Sequence, residues 1–105
     1  MRSLSEFENI LWDDKIVRKL WDKHKIMPFE VEEVLTKPVL GPVPDVRHSK
    51  KDARYAVVGV TDQNKYLRVV YIEGGKAIKI IHARKASKEL IIRYEKAVED
   101  IEKKI

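Results

Sequence analysis

The chain has 105 residues, with 22 Lys or Arg against 17 Asp or Glu, for a formal net charge of +5 at pH 7. That length suits a single domain over 1–105 that buries about two-thirds of the surface of its unfolded chain. The absence of cysteine excludes disulfides and thiolate metal sites and fits a reducing compartment. No apolar run nears the ~18 residues of a membrane span, and the acidic opening MRSLSEFENILWDD lacks a signal-peptide pattern. A soluble cytoplasmic protein with no membrane association is expected. The charge is uneven: residues 65–96 hold nine Lys/Arg against three Asp/Glu. Such a patch attracts polyanions by steering and counterion release.

In chain order, FENILW (7–12) reads as a short strand. Asp13 or Asp14 can cap a helix running to about Lys25, with Ile16, Val17, Leu20, Trp21 and His24 on one face. Trp12 and Trp21 are expected as core anchors. Pro28 suits the first turn of a second helix with the apolar set Phe29, Val31, Val34 and Leu35, ended by Lys37-Pro38. PVLGPVPDVRHSKKDA (38–53) holds three of the four prolines and reads as a long, partly basic loop that cannot lie in a central strand. Three strands follow, at 54–61, 65–73 and 76–83, rich in Val, Ile and Tyr and joined by short turns, so an antiparallel meander is expected. Ser87 caps a last helix with the stripe Leu90, Tyr94, Ala97, Val98, Ile101 and Ile105, and with Glu89–Arg93, Glu99–Lys103 and Asp100–Lys104 as i,i+4 pairs.

A two-residue turn at Gly74-Gly75 sets Tyr71 opposite Ile78, Val69 opposite Ile80 and Leu67 opposite His82, a nearly apolar core face. A turn at Gln63-Asn64 sets Arg54 opposite Glu73 and Gly59 opposite Arg68; a longer turn flips one strand. The second face then gathers Tyr55, Tyr66, Arg68 and Lys79. Aromatic rings beside cations on a sheet suit base stacking and a grip on a nucleic-acid backbone. Arg84 and Lys85 lie just before the last helix, whose N-terminal N–H groups favour an anion. No histidine pair has metal-ligand spacing. His24 and His82 are expected to be structural, and His48 exposed in the basic loop.

The ordered pieces Trp12-Asp13, Lys23-His24, Phe29 to Val34 (F-E-x-x-E-V), K-I-I-H-A-R-K-A-S (79–87) and Arg93-Tyr94-Glu95 resemble the BrnT family of bacterial type II toxins, over about residues 9–95. The resemblance implies a RelE-like α+β fold: a small antiparallel sheet, with a three-strand meander and a short N-terminal strand, two N-terminal helices and one long C-terminal helix. It implies a toxin that is a metal-independent endoribonuclease, needs no cofactor, attacks RNA through its 2′-hydroxyl and inhibits translation. It also implies silencing by a small BrnA-like antitoxin encoded nearby, through which alone DNA is bound. The chain departs from the family at Lys79 (usually Arg), His82 (often a small hydroxyl residue), Lys25 (commonly Gly), Pro28 (often Ser) and in the order Asp52-Ala53-Arg54. Arg84 and Lys79, with Arg54, are the expected cations for the phosphorane, and Asp52 or His48 the proton acceptor. Tyr55, Tyr66, Arg68 and Lys85 are the expected RNA contacts. The competing reading is a non-catalytic RNA- or protein-binding module of the same fold.

Overall fold

The computed structural model describes residues 9–37, 40–45 and 53–104. The elements are β1 (Asn9–Leu11), α1 (Asp14–His24), α2 (Pro28–Thr36), β2 (Leu40–Pro44), β3 (Arg54–Val60), β4 (Tyr66–Gly74), β5 (Ala77–Lys85) and α3 (Lys88–Lys103). They form one five-stranded sheet in the order β1-β5-β4-β3-β2, antiparallel except where β1 runs parallel to β5.

The helix ends are where the capping chemistry puts them. Asp13 Oδ1 accepts the Lys15 N–H at 2.8 Å and starts α1. The helix closes on Lys25, whose φ of 54° is the left-handed conformation that glycine adopts without strain. Pro28 occupies the first turn of α2. Ser87 Oγ accepts the Leu90 N–H at 3.2 Å and starts α3. On α3, Arg93 pairs with Glu89 at 3.4 Å and Lys103 with Glu99 at 3.1 Å.

The core lies between one sheet face and the first two helices. Leu20, Ile26, Val31, Val34 and Leu35 pack on Val57, Leu67, Val69, Tyr71, Ile78, Ile80 and Ala83, with Ile10, Trp12, Ile16 and Tyr55 at its margin. Trp12 is half-buried, and its Nε1–H donates to Glu32 Oε2 at 2.9 Å. Gly59 lets α2 come down on β3: an added Cβ there meets Val34 Cγ1 at 2.9 Å. Trp21 and Phe29, expected inside, are 47% and 56% exposed. The reason is angular: Leu20 and Ile26 supply the buried contact of α1 and its exit, Val31, Val34 and Leu35 that of α2, and the two aromatics sit beside those stripes.

The 38–53 segment is not all loop. Residues 40–44 pair with β3 as an edge strand with a register shift between Leu40 and Val43. Its prolines are tolerated because an edge strand has one side that pairs with nothing in the sheet.

Both meander registers differ from expectation. The β3–β4 turn has three residues, Asp62-Gln63-Asn64, closed by Thr61 N–H donating to Lys65 O at 2.8 Å, with Asn64 at φ 64°. This sets Arg54 opposite Ile72 and Gly59 opposite Leu67, so β3 is turned over: Tyr55 faces Tyr71 on the helix-covered side, not the second face. The last hairpin turns at Gly75-Lys76 rather than Gly74-Gly75, with Gly75 at φ 59°. That slip of one place keeps Tyr71, Ile78 and Ile80 on the same face. A bulge then intervenes: Tyr71 lies opposite Ile80 but Val70 opposite His82, leaving Ile81 unmatched. Beyond it, Ala83 faces the core opposite Val69, and His82, expected on the core face, is not part of the core cluster: its ring meets His24 of α1.

Glu30 locks α2 to the turn between β3 and β4. It is 6% exposed. Its Oε1 accepts the Met27 N–H at 3.0 Å and its Oε2 meets Lys65 Nζ at 2.9 Å. Burial opposes its charge, but the Met27 N–H and Lys65 outweigh burial and hold its pKa below the ordinary glutamate value. A lowered carboxyl pKa stabilises the fold above its unfolded value, and that contribution disappears as pH falls through the folded one. Glu30→Gln is therefore expected to cost about 1–3 kcal/mol at neutral pH. The gap from the parent protein should close as thermal melts are repeated towards pH 3.

Candidate nucleic-acid interface

The sheet face away from α1 and α2 is only partly covered. At one end α3 packs on it, with Tyr94 edge-on to Tyr66 at 5.5 Å. Ala56, Val58 and Val70 are buried on this face. The cleft beside Tyr66 is lined by Tyr94, Glu95, Val98, Glu99 and Glu102, and is acidic.

Past α3 the face turns basic. Arg68 lies directly opposite Arg84, with Val58 on the other side of Arg68. Facing residues hold their Cβ atoms about 5 Å apart, and like charges so placed destabilise a sheet. A second row runs Arg54, Ile72, Lys79, Leu11 across four strands. The rows are four residues apart on β4, about 13 Å along the strand. Lys79 and Arg84 are five residues apart, so a regular strand would point them to opposite sides. The bulge at Ile81 brings both onto this one.

Around Lys79 the surface dips into a groove of about 400 Å³ lined by Leu11, Ile72, Glu73, Gly74, Ala77 and Ile78. Lys79 is exposed, and among the described residues no carboxylate pairs with it. Arg84 is half-buried as a residue, and its exposed guanidinium donates to Lys85 O at 3.3 Å. Arg68 Nη2 lies 3.8 Å from Asp45 Oδ2, and the Asp45 N–H donates to Arg54 O at 2.7 Å. Asp45 thus places a largely buried carboxylate beside Arg68.

A second group borders the pair. His82, opposite Val70, meets His24 edge-on with ring centroids 5.3 Å apart. Burial first, then His24, Lys19, Arg84 and Arg68, lower the His82 pKa.

The expected site residues therefore divide. Arg84, Lys79, Arg54 and Arg68 share one face in two rows. Lys85, opposite Leu67, leaves the strand on the other side. Tyr55 is packed at 5.9 Å from Tyr71 beneath the helices, and Tyr66 lies against α3. Asp52 and His48 lie outside the described residues. Sequence reasoning missed Asp45 and the joining of the two histidines. The only sequence signal for the latter was a histidine at the helix end and another in a strand, 58 places apart in the numbering.

On the core side, Tyr71 Oη and Glu73 Oε1 are buried with no hydrogen-bond partner among the described residues. Burial, then Glu73 and Tyr55, push the Tyr71 hydroxyl far up. Among the described residues no three His, Cys, Asp or Glu side chains gather as a metal-binding group, and no helix is long and apolar enough to cross a membrane.

Fold and surface together define a small α+β protein built on a sheet with one helix-covered face and one basic face. Residues 12–89 match the family described as the ribonuclease toxin BrnT of type II toxin–antitoxin systems. The chain belongs to that family, and so to a class of toxins that act with an antitoxin partner. Its fold is similar to the crystal structure of the Brucella abortus ribonuclease toxin BrnT, with a TM-score of 0.57 and 23% identity over 76% of this chain and 97% of that one. No curated protein sequence matches the chain.

The arginine pair makes its own prediction. Arg84→Gln should leave the melting temperature unchanged or raise it, because it relieves a repulsion worth up to about 1 kcal/mol. The same change should lower RNA affinity and reduce the slope of log affinity against log salt by about one. Thermal melts and a salt series of binding isotherms measure both.

Proposed function

We propose that the chain cleaves RNA as a metal-independent endoribonuclease on the basic sheet face, and that the scissile phosphate sits between Arg68 and Arg84. The observation that carries this reading is their cross-strand pairing. Two arginines set opposite each other on neighbouring strands can both turn to a phosphorane that gains negative charge in the transition state, although without substrate Arg68 reaches towards Asp45 and Arg84 towards the Lys85 carbonyl. Arg54 and Lys79, with Ile72 between them, hold the backbone about two nucleotides away, at the ~13 Å row spacing. The fold is of the RelE-like kind.

The nucleophile is the 2′-hydroxyl adjacent to the scissile phosphate. Its oxygen attacks phosphorus as its proton leaves, the bond from phosphorus to the 5′-oxygen breaks, and that oxygen takes a proton. The products are a 2′,3′-cyclic phosphate and a 5′-hydroxyl end. Cleavage of messenger RNA arrests translation in the cytoplasm. A BrnA-like antitoxin silences the toxin by covering the basic face, and the complex reaches DNA through the antitoxin.

Arg84→Ala is expected to lower the rate of RNA cleavage by about 10²–10³-fold, the cost of removing one transition-state donor. Arg84→Lys keeps charge but not the two-pronged grip and should fall between. Induced in a bacterial host, the parent chain should arrest growth and the Ala variant should not. Equal cleavage by all three folded proteins removes Arg84 from the site; RNA bound but left intact by the parent favours the non-catalytic module.

A further inference from the structure

We propose that His82 is the group that takes the 2′-hydroxyl proton, and that His24 is a positioning residue that holds its ring. The proposal rests on the ribonuclease reading above and deepens it by assigning the base.

The geometry converges on His82 from three elements. The register places it two residues before Arg84 on the same strand and diagonal to Arg68 across from it. A phosphate on the arginine pair is therefore about one residue pair, ~7 Å, from the His82 backbone, within reach of an imidazole. The bulge at Ile81 breaks the alternation of β5 at His82, beyond the stretch that β1 pairs, and the ring stands against His24 of α1 rather than in the core. Bulges re-aim side chains in this way, often beside active sites. From the third element, α1, His24 presents its ring edge-on at 5.3 Å. Contact at that distance leaves no room for a phosphate between the two rings, so they cannot act as acid and base on opposite sides of it. One of them acts and the other orients.

The charged surroundings select which form of His82 prevails. Lys19 and His24 on α1, Arg68 on β4 and Arg84 on β5 all face it, and with burial they favour the neutral ring. A neutral imidazole has the lone pair that a general base needs, at neutral pH and below. In the step itself, an imidazole nitrogen of His82 takes the proton from the 2′-hydroxyl while the 2′-oxygen bonds to phosphorus. The phosphorus–5′-oxygen bond breaks, and the 5′-oxygen takes a proton from solvent. His82 then returns its proton to water, so no oxidant, metal or co-reactant is consumed.

The test is the pH profile of RNA cleavage for the parent, His82→Gln and His24→Gln, each checked for an unchanged melt. The parent's rate should rise with pH along an acid limb below 6.5, the ordinary imidazole value, because only the neutral ring is active. His82→Gln should lose about 10²-fold or more and with it the acid limb. His24→Gln should lose less and move the limb to higher pH, since one of the charges that disfavour His82 protonation is gone. A second readout needs no turnover: a 2′-O-methyl RNA, which lacks the nucleophile, should shift the His82 ring resonances and raise its titration midpoint, because a phosphate beside it favours the cation. Cleavage by His82→Gln at the parent rate with the same limb overturns the assignment and leaves the ribonuclease reading intact. An unperturbed His82 on saturation with the methylated RNA also overturns it. A parent protein that cleaves no RNA at any pH overturns both.

Discussion

One unmatched residue in β5 determines which cations the sheet face opposite the first two helices carries. Side chains alternate along a strand, so without a bulge Lys79 and Arg84 point to opposite sides and Ala83 leaves the core. Ile81 breaks that alternation. Upstream of it, Ile78 and Ile80 pack under the helices; downstream, Ala83 does. The same step turns Arg84 to face Arg68 and breaks the alternation at His82, whose ring meets His24 of α1. Folding drives this arrangement: burying Ile78, Ile80 and Ala83 together is worth several kcal/mol at ~25 cal/mol per Å², more than the repulsion between two partly solvated guanidiniums. The like-charge pair is thus carried by the core beneath it.

The rest of the molecule keeps that face usable. The two short N-terminal helices are fixed on the other face by Val31, Val34 and Leu35, by the contact with Gly59 and by the Glu30–Lys65 bridge. The long helix α3 comes off the end of β5 and lies towards Tyr66 and the β2–β3 edge. It brings Glu95, Glu99 and Glu102 with it, so the covered end is acidic and the open end basic. A polyanion meeting this surface is directed to the arginine rows and away from α3.

Much of the architecture was legible before any coordinates. The apolar spacing of α2 and of the meander strands, Asp13 and Ser87 as caps, and Pro28 in a first turn are local signals, and each lies where its chemistry requires. The family was legible as well, because its pieces keep their order and spacing. What was not legible depends on counting by one. Asp62-Gln63-Asn64 and Gln63-Asn64 are equally good turns on composition, yet a three-residue turn reverses every side chain of β3, which moved Tyr55 under the helices. Gly74-Gly75 and Gly75-Lys76 differ by one place. The bulge has no composition of its own, since Ile81 is as good a strand residue as its neighbours. The candidate site sits downstream of all three choices. Its residue types could therefore be named from the sequence, while the pairing of Arg68 with Arg84 and of His24 with His82 could not. Exposure of Trp21 and Phe29 was missed for a related reason: a helical period marks a face but not how wide a stripe of it the sheet will cover.

The account requires Arg68 and Arg84 to act as one unit on one phosphate, and a double-mutant cycle measures this most directly. RNA affinity at fixed salt is compared for the parent, Arg68→Ala, Arg84→Ala and the double variant. Two arginines gripping the same phosphate predict strong non-additivity: the second removal costs much less than the first, with a coupling of about 0.5–3 kcal/mol. Two losses that simply add, within about 0.3–0.5 kcal/mol, contradict a shared phosphate and reduce the basic face to independent surface charges.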